Sequence, residues 1–548
     1  MNPVEPAATW TTAWPAALAL VGLVVGLVQA RRALAPPRGW VAPALAFAIL
    51  ALAVRFLWLP ALPEHAFDGH EADYLDLFLG SRAPTRGGTV LYPAMQWLYW
   101  GLGRVLTGPG WLLVVSGGVA LVSIAAAAGL AWQLFGGRAA AWTAALLALY
   151  GNHAFWSSSA YNVMIPLALT LVSLWALVVA GRGGGWGLSL VAASAASLAV
   201  ATRLESLVAA LPALLLVIWR PPRPLKVHLP LLLGGAALAV AAVLPLIFPG
   251  GLPGEGEGRF MWPVNVGLRD YLAPWAGPWL PVLVALALLA PPAPGNRLRA
   301  RAISRVPVLI LLAWALAVHL VMAAFDDAAF RHWLPAGVAL ALVTGAALGA
   351  LRPWPAGLCG ATLITLLALD TGRIAGLYYA PEERFAAALP AALPRLDARE
   401  RPPCTLVSED DRVAQEQQLS HFNLLDPAES ERLRGAGGGC LQWCPDLQDW
   451  RWSSRGVRAR ALRILHLYPA TAVAVLTDEE SGYACLLLEL GGAARAGGGL
   501  ADAGGVVALR ATPVHTTGSA SAAASRAGWA WPGTHPCRTP SPGRGARG

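Results

Sequence analysis

Long apolar runs recur along most of this chain, and they limit its possible folds more than any other feature. A helix needs about 20 consecutive apolar residues to cross a membrane, and many runs approach that length. The chain is 56% hydrophobic and only 13% charged, whereas a soluble domain usually has about 25% charged residues. The pattern predicts an all-α polytopic membrane protein with about 12 transmembrane helices. The predicted runs are 13–30, 41–60, 109–134, 139–156, 162–181, 185–202, 206–219, 229–248, 273–291, 307–325, 333–351 and 355–372.

The charged residues divide by loop, which predicts how the helices are oriented. Alternate loops carry arginine or lysine without any Asp or Glu, and the positive-inside rule makes these loops cytoplasmic. The formal net charge of +9 is therefore an orientation signal, and no nucleic-acid partner is expected. The opposite loops carry the acidic residues and are predicted to lie outside, as are both termini. The basic residues are Arg31, Arg32, Arg38, Arg138, Arg182, Arg220, Arg223, Lys226, Arg297, Arg299, Arg301, Arg305 and Arg352.

Composition divides the chain into four predicted parts. Residues 1–40 supply an N-terminal transmembrane helix and a cytoplasmic loop, and residues 41–372 form the main membrane domain. Residues 373–490 are predicted to be a small α/β domain outside the membrane, with strands at 405–408, 461–467, 472–476 and 483–490 and helix-compatible sequence at 410–419. Residues 491–548 are rich in Gly, Ala, Ser and Arg, a composition that predicts a disordered tail.

The outer loop 61–108 carries the first candidate site, and two short helices are predicted within it. The first begins near Asp68, in an acidic stretch that also holds His70, Glu71, Asp73 and Asp76. The second begins at Tyr92-Pro93, with proline at an early helical position. Its apolar spacing and its tryptophans predict a helix that lies in the membrane surface.

Two roles fit Asp68 and Glu71. The Asp-x-x-Glu spacing is a capping pattern, in which Asp68 accepts amide hydrogen bonds and Glu71 reaches back. A carboxylate at a membrane surface can also serve as the general base for transfer to a hydroxyl. Glu71 fits that role if the face it shares with Leu75 and Phe78 turns inward. The two roles can coexist.

Arginines near the outer helix ends are candidates for phosphate binding, because the guanidinium fork matches phosphate oxygens. Arg331-His332 precedes the run 333–351, where a snorkelling anchor is the alternative. Arg203 lies two residues before Glu205, and an Arg–Glu ion pair is the alternative there. Arg259 is a weaker candidate. His153, also near an outer helix end, is predicted to be a hydrogen-bonded structural residue.

The cysteines predict disulfides more than a metal site. Cys440-x3-Cys444 could be half of a zinc site, but no second pair with finger spacing follows. Cys359 lies in an apolar run, and the other five cysteines lie in the C-terminal third, where an extracytoplasmic location favours disulfides. No metal ligands are assigned.

Several short motifs together resemble a known family. The motifs are Val54-Arg55-Phe56-Leu57, Glu71-Ala72-Asp73-Tyr74 with Leu79-Gly80, Tyr92-Pro93, Ala201-Thr202-Arg203-Leu204-Glu205 and Phe330-Arg331-His332-Trp333-Leu334-Pro335. They resemble the GT-C membrane glycosyltransferases, in particular the branch with protein O-mannosyltransferases and aminoarabinose transferases. The resemblance covers about residues 41–372.

This resemblance implies an inverting transfer of a sugar from a polyprenyl-phosphate donor to a lipid, glycan or protein hydroxyl. It implies Glu71 as the base, and Arg331 and Arg203 as contacts of the donor phosphate. The sequence departs from the family where an adjacent Asp-Glu is usual, since it has His70-Glu71 with Asp68 two residues earlier. His332 stands where the family has tyrosine, and the helix 13–30 is extra. No cofactor is assigned, and Mg²⁺ or Mn²⁺ stays open.

The near-exclusive use of Arg over Lys and the high Ala and Gly content predict a GC-rich bacterium, and hence its plasma membrane. Two other functions stay open at this point. A transporter or flippase is expected to show internal repeats and intramembrane charges, and neither is evident. A catalytically inactive scaffold of the GT-C type would explain the altered acidic pair.

Overall fold

The computed structural model describes residues 6–35, 70–80, 93–106, 110–157, 163–247, 305–323 and 333–374, together with five strands between residues 406 and 490 and a few single residues. Several predictions lie outside the described residues. These are Asp68, Arg259, Arg331, His332, the run 273–291, the strand 461–467, the helical stretch 410–419 and the tail 491–548.

Helices account for all of the described regular structure up to residue 374. Their bounds are α1 Pro6–Leu34, α2 His70–Leu79, α3 Pro93–Val105, α4 Gly110–Phe135, α5 Gly137–Leu149, α6 Gly151–Ser157 and α7 Met164–Ala180. They continue with α8 Trp186–Thr202, a 3₁₀ turn Leu204–Ala209, α9 Ala210–Trp219, α10 Leu225–Ile247, α11 Arg305–Ala323, α12 Leu334–Ala350 and α13 Pro353–Ile374.

Ten of the twelve predicted apolar runs coincide with these helices, and 41–60 is described at only a few residues. The run 139–156 is interrupted at Tyr150, and the run 206–219 begins as the 3₁₀ turn. Within the described part, three helices are long and apolar enough to cross a membrane, namely Trp14–Leu34, Gly110–Phe135 and Leu225–Ala242. Seven others are apolar but shorter, so the count of twelve spans stays a prediction.

The predicted cytoplasmic turns meet at one end of the helical bundle, which is called the basic end here. Arg182, in the turn between α7 and α8, donates to the side-chain oxygen of Gln133 at 2.7 Å and also to the Gln133 carbonyl, near the end of α4. A Cβ on Gly181 would overlap the carbonyl oxygen of Arg220 in the next basic turn. The described basic turns therefore share one end of the bundle.

Short turns at the basic end depend on glycine. Gly136 joins α4 to α5 with φ 99°, and Gly183 lies between α7 and α8 with φ 93°. Side chains with a Cβ rarely adopt such backbone angles. The C-terminal end of α12 also lies at the basic end, because a Cβ on Gly349 would meet the backbone of Ala139 at the start of α5.

The N-terminal helix α1 packs directly against α8 through two glycines. A Cβ on Gly22 would overlap the hydroxyl of Ser194, and a Cβ on Gly26 would meet the backbone nitrogen of Val191 at 2.9 Å. Small residues that let helix backbones approach are typical of packing within membranes. The outward face of α1 leaves Leu20, Val21 and other apolar side chains exposed, as expected for a helix bordered by lipid.

The two short helices predicted in the outer loop are both present and pack against each other. The rings of Tyr74 in α2 and Tyr99 in α3 stack with centroids 4.4 Å apart. A Cβ on Gly103 would overlap the carbonyl oxygen of Phe78, so this close approach requires glycine. α3 ends at Val105, close to the start of α4 at Gly110. Because the other terminus of α4, near Gln133, lies at the basic end, the hairpin lies at the opposite end of the bundle.

Five strands follow the helices and form one sheet in the order β2-β1-β3-β5-β4. Their bounds are β1 Leu406–Ser408, β2 His421–Asn423, β3 Gly439–Trp443, β4 Ala470–Thr477 and β5 Ala484–Leu490. β1 runs parallel to β2 and β3, whereas β5 runs antiparallel to β3 and β4. Three predicted strands coincide with β1, β4 and β5, and the helical part of the predicted α/β domain lies outside the described residues.

Candidate functional site

Arg203 stands at a break between two helices, at the end of the bundle opposite the basic end. α8 begins beside the basic turns and runs for 17 residues to Thr202, a rise of roughly 25 Å. The amide of Arg203 still donates to the Ala199 carbonyl at 2.9 Å, but its backbone is extended, with φ −164° and ψ 119°. The following 3₁₀ turn is tied back by the Ser206 amide, which donates to the Arg203 carbonyl at 3.0 Å.

The break brings two charged side chains together. The Nε of Arg203 lies 3.2 Å from an Oε1 of Glu205, so the ion pair that the sequence left open does form. Arg203 has 8% of its side chain exposed and Glu205 has 26%. A buried guanidinium without a counter-charge is strongly unfavourable in an apolar setting, and the nearby carboxylate reduces that cost.

Both members of this pair line a small pocket that is partly open to the exterior and has a cavity volume of about 40 Å³. Its other walls are mainly apolar and come from α7, the 3₁₀ turn, α11 and α12. Trp314, Val318 and Leu334 are almost completely buried there. A pocket with one charged corner and apolar walls suits an amphiphilic ligand, with the anionic part at the arginine. It is called the Arg203 pocket below.

The Arg203 pocket adjoins the start of α12, which follows the second arginine candidate in the sequence. Leu334 and Pro335 line the pocket, and Arg331 precedes Leu334 by three residues. Trp333 is buried, and its ring lies 5.1 Å from the ring of His319 in α11. The pocket thus reaches the first residues of α12, whereas Arg331 itself lies outside the described residues.

A second polar cluster lies where one predicted apolar run is interrupted. Tyr150 has an extended backbone between α5 and α6, with φ −69° and ψ 113°. His153 then lies fully buried, and its Nε2 is 2.7 Å from the hydroxyl of Ser123 in α4. That hydroxyl donates to the Ala120 carbonyl at 2.7 Å, so it accepts a hydrogen from His153. The hydrogen bond predicted for His153 is therefore present, and its structural role stays a prediction.

No protein-family model matches the chain, and no curated protein matches it. The chain is similar to several solved structures. ArnT from Cupriavidus metallidurans bound to undecaprenyl phosphate shares 15% identity and a TM-score of 0.45 over 82% of this chain and 98% of that one. The Archaeoglobus fulgidus oligosaccharyltransferase tethered to an acceptor peptide shares 11% identity and a TM-score of 0.48 over 81% of this chain and 74% of that one. AglB from the same organism, in complex with an inhibitory peptide and a dolichol-phosphate, shares 10% identity and a TM-score of 0.42 over 81% of this chain and 74% of that one.

With identities of 15% or less and TM-scores below 0.5, the likenesses carry nothing about substrate, mechanism or site residues. Those matters depend on this chain's own residues.

Of the residues predicted for the acidic site, only helix positions are described. His70 and Glu71 are the first two residues of α2. Tyr74 and Phe78, further along α2, are buried, whereas the orientation of the Glu71 side chain lies outside what the structure describes. The catalytic and capping roles of Asp68 and Glu71 both stay predictions.

Several pocket residues were not found from the sequence. Trp314 and Thr170 lie inside apolar runs that predict only a helix. Their helical period shows which face is buried, but not which neighbouring helix that face meets. The described residues contain no group of three or more His, Cys, Asp or Glu side chains arranged to hold a metal ion.

Proposed function

We propose that this chain is a glycosyltransferase that moves a sugar from a polyprenyl-phosphate-linked donor to a hydroxyl acceptor. The reaction takes place on the outer face of a bacterial plasma membrane, which the chain crosses several times. The acceptor is a lipid, a glycan or a protein hydroxyl. The sequence resemblance to the GT-C glycosyltransferases supports the reaction class.

The observation that carries this proposal is the Arg203 pocket. Its apolar walls suit the isoprenoid part of such a donor, and its buried arginine suits the phosphate. Guanidinium groups recognise phosphate oxygens through charge-assisted hydrogen bonds. The pocket lies at the bundle end to which the α2–α3 hairpin connects, which supports a shared site for the base and the phosphate contacts.

The proposed chemistry is a single displacement with inversion. Glu71, or Asp68 in its place, takes the proton of the acceptor hydroxyl, with His70 beside them in the sequence. The acceptor oxygen bonds to the sugar C1 as the bond from C1 to the phosphate oxygen breaks. The leaving polyprenyl phosphate gains negative charge, which Arg203 and Arg331 stabilise, while His332 and Arg259 are further candidates for contacts with the phosphate. Whether a divalent cation, Mg²⁺ or Mn²⁺, is required stays an open question.

Binding of a polyprenyl phosphate tests the proposal directly. Arg203→Ala should weaken the binding of undecaprenyl phosphate by about 10-fold or more, because a charge-assisted hydrogen bond contributes about 1.5–3 kcal/mol. Arg352→Ala removes an exposed arginine at the basic end and serves as the matched control, with no change expected. Both are measured on purified protein in nanodiscs.

Equal affinity in wild type and Arg203→Ala would remove the Arg203 pocket from donor binding. Arg331→Ala should weaken binding in the same assay, and Arg331→Lys should restore it in part, since a point charge replaces a fork. Affinity unchanged in Arg331→Ala would identify that residue as a membrane anchor.

A transporter is the second candidate, and one observation favours it. α5 and α6 are separated by an extended residue, with the polar side chains of Asn152 and His153 buried beside the break. Interrupted helices with polar residues are common at transporter sites. Sugar transfer by purified protein in detergent, where no gradient exists, separates the two functions. Transfer favours the enzyme, and its absence together with ligand uptake into proteoliposomes favours the transporter.

A further inference from the structure

We propose that Glu205 weakens the preference of the Arg203 pocket for a doubly charged phosphomonoester relative to a singly charged phosphodiester. This inference rests on the proposed function. It concerns the step after sugar transfer, when the spent lipid phosphate must leave.

The geometry that carries the inference is the Arg203–Glu205 pair. Both side chains line the same pocket, and the Nε of Arg203 lies 3.2 Å from the carboxylate of Glu205. Among the lining residues that the structure describes, these two are the charged ones. The described charged corner of the pocket therefore has one positive and one negative group, and a formal charge of zero.

An anion that contacts Arg203 must lie within a few ångströms of Glu205. Its attraction to the arginine and its repulsion by the carboxylate both grow in proportion to its charge. Exposures of 8% and 26% mean that water and salt screen these interactions less than they would at an open surface. Without the carboxylate, the arginine alone would favour the more highly charged ligand, and Glu205 reduces that preference.

Charge is what distinguishes donor from product in the proposed reaction. The phosphate of the sugar-linked donor is a diester with one negative charge. After the sugar leaves, the phosphate is a monoester with a second pKa of about 6 and a charge near −2 above that pH. A pocket that binds the monoester tightly would hold its own product, and product release limits many enzymes.

The experiment compares two probes that differ only in one ester. Farnesyl phosphate is the monoester, and methyl farnesyl phosphate is the corresponding diester. Binding of each is measured at about pH 8, where the monoester is doubly charged, on wild type, Glu205→Gln and Glu205→Asp in nanodiscs. Glu205→Asp keeps the charge and is the matched control, and thermal melting shows whether each variant is folded.

Glu205→Gln should tighten the binding of farnesyl phosphate by about 10-fold, equivalent to about 1.4 kcal/mol, and that of the methyl ester by about 3-fold or less. Glu205→Asp should keep the wild-type ratio of the two affinities. Ser206→Asp adds a second carboxylate at a lining position and should weaken the monoester more than the diester, which keeps the test available if Glu205→Gln does not fold.

An unchanged ratio in a folded Glu205→Gln, or in Ser206→Asp, overturns the inference while the proposed function stands, provided that wild type binds the probes. If wild type binds neither probe, the proposed function fails and the inference fails with it. A ratio that shifts in Glu205→Gln but equally in Glu205→Asp shows a role in shape and not in charge, which also overturns it.

Discussion

The two ends of the helical bundle use arginine in different ways. At the basic end Arg182, Arg220 and Arg352 are exposed, and Arg182 holds the turn after α7 to the end of α4 through Gln133. At the opposite end Arg203 is buried in a pocket and faces a carboxylate. The exposed arginines are solvated, so their charges are screened and mark orientation. The buried one has little water to satisfy it, so its charge must be met by a protein group or a ligand.

Burial therefore separates two roles that the sequence shows as the same residue type. Hydropathy does not distinguish Arg182 from Arg203, because both follow an apolar run, and the charge pattern of the loops assigns them only to opposite sides of the membrane. What distinguishes them is the packing of α11 and α12 beside the 3₁₀ turn, which closes the pocket around Arg203. This difference between the two ends can be tested in three ways.

The largest expected effect concerns which end faces outside. α13 begins beside Arg352 at the basic end and ends at Ile374. A reporter fused after Ala375 should therefore be active only in the outer compartment, an all-or-none result that alkaline phosphatase and green fluorescent protein fusions can measure. Signal from the cytoplasmic reporter would reverse the orientation and would place the Arg203 pocket on the inner face.

The next effect concerns the acidic residue that begins α2. Glu71→Gln keeps the size and hydrogen bonding of the side chain but cannot accept a proton, so sugar transfer should fall by about 10²–10⁴-fold if Glu71 is the general base. Melting temperature should stay the same, since Gln serves equally well in a capping pattern. Turnover is measured with a polyprenyl-phosphate sugar as donor.

Asp68→Asn is the companion variant, because asparagine caps a helix about as well as aspartate. A large loss in Asp68→Asn with little effect in Glu71→Gln would assign the base to Asp68. Near-normal transfer in both variants would remove this acidic segment from the chemistry.

The smallest effect is expected at the basic end. Arg182→Ala removes the contacts with Gln133, and exposed polar contacts of this kind contribute about 0–1 kcal/mol to stability. The melting temperature should fall by no more than a few degrees, and the affinity for undecaprenyl phosphate should not change. A marked loss of affinity would show that the two ends are energetically coupled and that Arg182 affects ligand binding at the opposite end.

Much of the helical layout could be predicted from the sequence, because the length of an apolar run depends on local composition alone. The ends of α1, α4, α7 and α8 fall within a few residues of the predicted runs, apart from the extended start of α1. The Arg203–Glu205 pair could also be predicted, since its members are two residues apart. Strands β2 and β3 were missed because each is short and lacks an alternating pattern; β2 has three residues.

The features that escaped prediction depend on contacts between distant segments. The interruption at Tyr150 falls in a run with no proline, and Gly151 alone does not specify a break. In the structure, a Cβ on Gly337 of α12 would overlap the hydroxyl of Tyr150, so the break coincides with a close contact between α12 and the end of α5. The sequence does not show that α12 contacts Tyr150, so it predicted a single uninterrupted run there.

The glycine contact of α1 has a kinetic consequence for synthesis. Gly26 meets Gly187 and Val191 of α8, which lie about 160 residues further along the chain. At about 5–20 residues per second, translation takes roughly 10–30 s to produce that partner. During this interval α1, which is long and apolar enough to enter a membrane, lacks the α8 partner of its glycine face. This contact between α1 and α8 therefore forms only after α8 has been synthesised.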